Sequence, residues 1–418
     1  MTMISRSSNV LYLTADGILE PLGASQVVAY LIGLSRLGYR YKILSLEKES
    51  DLAHDVAVTR LSEQLRDEGI QWKFLPYRGG TVVSLARMYR NMFAVARQES
   101  SDATLVHARS FVMGVLARRL HELGGPPYIF DARGYWVDER AEAGRWFRQK
   151  PVYLLAKSLE HKIARDAAAI VTLTDLQQND FRTKFPGKSV ETITTCVDFK
   201  RFRPDVSSDK VPEEIRTRIA GKIVLGLIGS LNASYRIRES IRLFQFVREI
   251  TPTAHLLCMT RQQDEMRALL AEIGVRAEDV TIATASHSDM PAWMAQVHWG
   301  LLLLESTYAK RASMPTKLGE MLAAGVRPIQ YGCNDEVGQI ARTIGSGIVL
   351  ESTSDDRLRE TARHVAAIGS HRDGLAEARE RAREHFSLEN GTLKYAQLLQ
   401  RLERAGETVL QKQEVEAK

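Results

Sequence analysis

Short, nearly unbroken apolar runs alternate with longer amphipathic ones along most of the chain. Asn9–Thr14 (NVLYLT), Tyr41–Leu46 (YKILSL), Tyr128–Asp131 (YIFD) and Ala168–Thr172 have strand length and read as buried strands of a parallel sheet. Gln71–Leu75, Ala103–His107 and Glu191–Thr194 complete this first series. Between strands, SQVVAYLIGLSRLGY carries Val27, Val28, Leu31 and Ile32 on one side and ends near Gly38, a C-cap residue. Further helices are expected over Val82–Arg97 and Arg145–Arg165. Strand, glycine loop, helix and strand form the repeating unit of a doubly wound sheet.

The pattern breaks at FRPDVSSDKVP (202–212), then restarts. Lys222–Ile228, His255–Met259, Val280–Ala283, Trp299–Leu304, Arg327–Tyr331 and Gly347–Leu350 form a second strand series. At 418 residues the chain is too long for one hydrophobic core. The expected architecture is α/β, with two Rossmann-like domains over 1–203 and 204–384 facing each other across a cleft. A helix over 385–405 should pack back toward the N-terminal domain, ahead of a frayed polar tail at 406–418.

Composition narrows the chemistry. Cys196, Cys258 and Cys333 lie far apart without metal-ligand spacing, so a reduced, cytoplasmic protein without a metal site is expected. No apolar run has the length of a membrane span, and the N-terminus lacks a signal-peptide pattern. The first loop lacks a full G-x-G-x-x-G, which argues against a nicotinamide cofactor. A net charge of +6 suits anionic ligands or a membrane surface, whereas nucleic acid would call for a denser basic patch. Val82–Arg97 and Arg145–Arg165 mix aromatics with basic residues, as a peripheral contact with an anionic membrane would require. Arginines on the outer face of a core helix are nevertheless the commoner explanation.

Ligands of open α/β sheets bind at the carboxyl ends of strands, and unusual residues gather there. Asp16 and Gly17 follow the first strand, and His107 with Arg109 ends another. Asp131, Arg133, Asp138 and Glu139 fall within FDARGYWVDER, around Gly134. His107 alone is better explained as part of a solvated loop with surface ion pairs. In the second half, Gly229 and Ser230 end a strand shortly before Arg236, an arginine suited to a diphosphate. Glu305 and the Gly332-Cys333-Asn334 turn end two others. SMPTKLGEMLAAG (313–325) reads as a helix opened by Pro315, with Leu318, Met321 and Leu322 inward. Its start suits phosphate beside Lys317, and Glu320 suits a sugar diol.

These strings resemble the GT-B-fold retaining glycosyltransferases of family 4 (glycosyl transferases group 1), and a bacterial subgroup among them. PLGASQVVAYLIGLSRLGY is similar to the family's glycine loop and first helix. Cys196-Val197-Asp198 with Phe202-Arg203-Pro204 resembles its G-V-D-x-x-x-F-x-P hinge, and SMPTKLGEMLAAGVRPI its P-x-K-x-x-E-x-x-A-x-G-x-P donor stretch. The resemblance implies metal-independent sugar transfer, with retention, from a nucleotide-diphosphate sugar. A UDP-sugar is favoured over a GDP-sugar. The acceptor would be a glycan or lipid-linked, in surface polysaccharide or glycolipid synthesis, at the inner face of the membrane. It places Gly229, Ser230, Arg236, Ser313, Lys317, Leu318 and Glu320 on the donor side. Asp16, Gly17, Gly23, His107, Arg109, Asp138 and Glu139 fall on the acceptor side. Arg236, Lys317, Asp131 and Arg133 are the catalytic candidates. Two positions depart from the family pattern: Ala312 stands where its first glutamate is expected, and Arg133 where a histidine is common. Glu305 or Asp131 could substitute for that glutamate. A nucleotide-sugar epimerase or hydrolase, or a non-catalytic nucleotide-sugar-binding partner, are the competing readings.

Overall fold

The computed structural model describes residues 8–77, 79, 81–144, 150–232, 234–332 and 336–416. Both strand series fold as parallel sheets, each in its own compact unit. The first unit comprises Met1–Thr194, Tyr308–Ser313 and Leu388–Lys418, and the second Thr195–Thr307 and Met314–Ser387. The division therefore falls just after the first sheet, ahead of the break in periodicity around Pro204.

The first sheet contains β1 (Asn9–Thr14), β2 (Arg40–Lys48), β3 (Gln71–Tyr77), β4 (Leu105–Arg109), β5 (Tyr128–Asp131), β6 (Ala169–Thr172) and β7 (Ser189–Thr192). Their order is β3-β2-β1-β4-β5-β6-β7, all parallel. Central β1, β4 and β5 are buried almost throughout, while edge strand β3 is largely exposed. β7 begins two residues earlier than the sequence pattern indicates, directly after the Pro186-Gly187 turn. The order reverses between β1 and β4. Such a reversal sends the flanking connections to opposite sides and opens a crevice at the strand ends.

The first helical segment starts at Pro21, ahead of the amphipathic run, because proline suits a first helical position. It includes a π turn at Ala24–Val28 and continues as an α-helix over Ala29–Arg36. The basic–aromatic stretch expected at 145–165 is represented by a helix at Pro151–Asp166, preceded by another at Trp136–Glu142. Residues 145–149, with Arg145, Trp146, Phe147 and Arg148, lie outside the described residues. The last helix, Leu388–Glu416, rejoins the first unit and packs on Ala29–Arg36. It runs through the stretch expected as a tail, where Glu, Gln and Lys favour helix.

The second sheet has the order β10-β9-β8-β11-β12-β13, again parallel. It is built from β8 (Ile223–Ile228), β9 (Ala254–Met259), β10 (Val280–Ala283), β11 (Trp299–Leu302), β12 (Arg327–Tyr331) and β13 (Ile348–Leu350). Its reversal lies between β8 and β11. No helix among the described residues is long and apolar enough to cross a membrane.

Candidate functional site

Each sheet gathers charged groups at its own reversal point. In the second unit, Gly229 follows β8 with φ +126°, a conformation reserved for glycine. A methyl group there would lie 2.2 Å from Lys317 Nζ, so the bare backbone makes room for the lysine. Lys317 Nζ donates to Tyr235 Oη at 3.3 Å and sits 4.9 Å from the centre of that ring. The helix carrying it, Thr316–Ala323, has Pro315 at its N-cap and no capping side chain. No side chain therefore competes with an anion for the N–H groups of Thr316 and Lys317, which open the helix.

Arg236 opens the helix Ile237–Ile250, tied to the end of β11 by its N–H to the Leu303 carbonyl at 2.8 Å. Its guanidinium donates to Glu305 Oε2 at 3.0 Å and Thr353 Oγ1 at 2.9 Å, over the Tyr331 ring at 4.4 Å. Glu305 is therefore spoken for, as the counter-charge of Arg236. Glu320 lies one turn beyond Lys317. Burial raises its carboxyl above the ordinary value, opposed by Lys317 and Arg201. Arg201 is itself held by the His287 carbonyl at 2.9 Å.

Other donor-side expectations divide. The Leu318 side chain is wholly in the core, and its N–H is taken by Pro315 at 3.1 Å, so its part is packing. Ser230 is exposed and accepts from Asn232 at 2.7 Å. Ser313 belongs to the first unit, where its hydroxyl faces Glu139 Oε1 at 3.4 Å. Gly332 has φ +113°, while Cys333 and Asn334 lie outside the described residues.

In the first unit, the ends of β1, β4 and β5 bring together Asp16, His107, Arg109, Asp131 and Arg133. Asp131 is fully buried and faces one histidine and two arginines. His107 Nε2 is 3.6 Å away, Arg109 Nη1 3.8 Å and Arg133 Nη1 3.7 Å. Tyr395 donates to Asp131 Oδ2 at 3.2 Å, and Arg109 Nε to Asp16 Oδ2 at 3.0 Å. Burial alone would push the Asp131 carboxyl up, but Arg133, His107 and Arg109 outweigh it and hold it below the ordinary value. Burial works against the Arg109 charge too; Tyr12, Asp16 and Asp131 overcome it and hold the group above the usual range. Tyr12 and Tyr395 flank the His107 ring, with centroids 4.6 and 5.3 Å from it.

FDARGYWVDER thus serves two places. Asp131 and Arg133 join the sheet-end cluster, whereas Asp138 accepts from Tyr153 at 2.8 Å and Lys157 at 3.0 Å, bonding one helix to the next. Glu139 accepts from Lys310 at 3.2 Å, and Glu142 receives the Ala309 N–H at 3.2 Å. Tyr308 stacks on Tyr135, with centroids 5.3 Å apart. Ala312 is buried against Tyr135 and Ala309, so the methyl that replaces the expected carboxylate fills an apolar contact.

The glycine loop is explained largely by the chain itself. A methyl at Gly23 would lie 2.1 Å from the Gly17 carbonyl oxygen. Glu47, at the end of β2, accepts from the N–H groups of Ile18 at 2.8 Å and Leu19 at 3.2 Å, fixing the turn after Gly17. Sequence reading missed Glu47, Tyr12, Tyr331 and Tyr395. A buried-type strand ending in a carboxylate was the available signal for Glu47; the tyrosines gave none. Among the described residues, no group of three or more His, Cys, Asp or Glu could hold a metal ion.

Residues 23–194 match the family model described as "Glycosyl transferase 4-like domain". None of the curated proteins matches the sequence. Among solved structures, HepE from Anabaena in complex with UDP-glucose is similar at 13% identity and TM-score 0.66, covering 94% of this chain and 99% of that one. Sucrose-phosphate synthase from Thermosynechococcus elongatus gives 14% identity and TM-score 0.68, covering 95% and 100%. WaaG, a glycosyltransferase involved in lipopolysaccharide biosynthesis, gives 15% identity and TM-score 0.65, covering 93% and 99%. At such identities the likeness is one of fold.

Proposed function

For a chain that carries a glycosyl transferase 4-like domain on the GT-B fold, we propose retaining transfer of a sugar from a nucleotide-diphosphate donor. The observation that carries this reading is Lys317, laid against Gly229 at the β8/β11 reversal, with Glu320 one turn further along its helix. The second unit binds the donor. Lys317, Arg236 and the uncapped start of Thr316–Ala323 face the diphosphate, and Glu320 accepts from the ribose hydroxyls. As the glycosidic bond breaks, negative charge builds on the departing diphosphate. Preorganised cations stabilise that charge more in the transition state than in the ground state. Arg236 and Lys317 supply this stabilisation without calling on a divalent ion. UDP is the favoured nucleotide, supported by its presence in the Anabaena protein.

The first unit binds the acceptor at the ends of β1, β4 and β5. A glycan or lipid-linked acceptor for envelope synthesis fits the similarity to WaaG. Val152, Leu154 and Leu155 are exposed near Lys150 and Lys162, and Val83 and Leu85 near Arg87 and Arg90. Apolar side chains beside basic ones suit an anionic membrane surface.

A thermal-shift screen against UDP-, GDP-, ADP- and CMP-sugars tests the donor reading, because a ligand of the native state raises its melting temperature. One nucleotide class should stabilise the protein, and Glu320→Ala should remove both that shift and sugar transfer. Unchanged transfer by Glu320→Ala would overturn the assignment.

A further inference from the structure

The cluster at the ends of β1, β4 and β5 is short of acceptors. Among the described residues, Arg109 Nη1 and Arg133 Nε and Nη1 are buried without a hydrogen-bond partner, as are both His107 ring nitrogens. Against them stands one unmet acceptor, Asp131 Oδ1. The distances from Asp131 to His107, Arg109 and Arg133, 3.6 to 3.8 Å, bring the two arginine charges close but leave the N–H groups unbonded. The side chains of Arg109 and Arg133 are only 4% and 7% exposed. A buried guanidinium with unmet donors costs more than a neutral group in the same state, so the arrangement calls for a partner.

Backbone geometry concentrates the donors further. Arg133 adopts φ +51°, one of only two non-glycine residues with positive φ among those described, and Gly134 follows at φ +115°. An arginine in that conformation costs roughly 1 kcal/mol or more, a strain typical of binding sites. Asp16 marks the solvent side: it is 46% exposed while bonded to Arg109. At least three guanidinium nitrogens and one imidazole N–H are thus available against a single carboxylate oxygen. A neutral sugar brings hydroxyls that donate as readily as they accept. An oxyanion brings two or three oxygens that only accept, matching the planar fork of arginine.

We propose that Arg109 and Arg133 bind an oxyanion of a sugar substrate, a carboxylate or a phosphate group, at the ends of β1, β4 and β5. This deepens the reading of the first unit as the acceptor-binding half and rests on it. Arg133 is the specificity-determining residue of the pair, because among the described residues its ion pair is with Asp131 alone, whereas Arg109 is also bonded to Asp16. Asp131 holds both guanidinium groups in place and repels any anion that does not engage them together.

Calorimetric titration of the full chain with glucose, glucose 6-phosphate and glucuronate at constant ionic strength tests this without any donor. One of the two charged sugars should bind at least tenfold more tightly than glucose, and which of them does identifies the oxyanion as phosphate or carboxylate. Arg133→Gln should erase the preference while leaving the UDP-induced thermal shift unchanged. Should that variant fail to fold, Arg133→Lys keeps the charge without the fork and should weaken the preference about tenfold. Equal binding of all three sugars, or a preference that survives the folded Arg133 variant, refutes the proposal. Loss of the UDP shift in the wild type, with the charged-sugar preference intact, would instead count against the donor reading alone.

Discussion

Gly229→Ala offers the most direct test of the donor corner, because one methyl group acts there in two separable ways. The added carbon would stand 2.2 Å from Lys317 Nζ, so the ammonium must retreat by about 1.2 Å to regain ordinary contact. A lysine tip moves easily, and that part of the clash costs little stability. The backbone cannot yield in the same way, since φ +126° is strained for alanine by about 1–3 kcal/mol. For a domain of roughly 150–250 residues this lowers the melting temperature by about 2–12 °C. Retreat also takes Lys317 from its place beside Tyr235 and from any phosphate held there. A hydrogen bond to a charged group contributes about 1.5–3 kcal/mol, so UDP affinity should fall about 10- to 150-fold. Calorimetric titration with UDP, alongside Lys317→Ala and the double variant, reads this out. If the methyl acts through the lysine, the double variant should bind UDP no more weakly than Lys317→Ala alone. UDP binding by Gly229→Ala within twofold of wild type, or fully additive losses in the double variant, would refute the reasoning.

Three further outcomes follow from the charges. Glu320 has a folded-state value raised above its unfolded one, so its contribution is present at low pH and is lost as pH rises through the folded value. Glu320→Gln should therefore melt no lower than wild type at pH 7 while losing UDP binding, and a lower melting temperature there would contradict the burial argument. Asp131 behaves oppositely: its depressed value contributes stability above the ordinary 3.8 that disappears as pH falls through the folded value. Asp131→Asn should cost about 3–5 kcal/mol in urea unfolding at pH 7, by leaving buried Arg133 without its counter-charge and Arg109 with Asp16 alone, and the deficit should shrink in acid. Glu142→Gln and Glu139→Gln weaken the hold on the Ala309 N–H and on Lys310, so hydrogen exchange across Tyr308–Ser313 should quicken while that of β5 stays unchanged.

Both sheets were legible because parallel strands write themselves as compact apolar runs, and most strands fall within two residues of the pattern. The residues at the two reversals were legible for the same reason: a charge after a buried strand stands out, as with Asp131 and Arg236. Their neighbours were not, because partners far apart in sequence leave no local trace. Tyr395 reaches Asp131 across 264 positions, and Lys310 reaches Glu139 across 171. Nor does FDARGYWVDER announce that Asp138 belongs to a helix contact while Asp131 belongs to the sheet end. Gly23 read as a ligand-facing glycine, yet its missing side chain already accommodates the Gly17 carbonyl.

The return of Leu388–Glu416 to the first unit also sets an order of events during synthesis. The second unit is complete once Ser387 has been made, whereas the first still lacks the helix that packs on Ala29–Arg36 and the hydroxyl that bonds Asp131. Its arginine-lined sheet end therefore stays incomplete until Leu388–Glu416 has followed the second unit out of the ribosome. A nascent chain halted before Tyr395 would hold every residue of the second unit but, in the first, an unfinished, cationic sheet end, open to whatever anions the ribosome's surroundings offer.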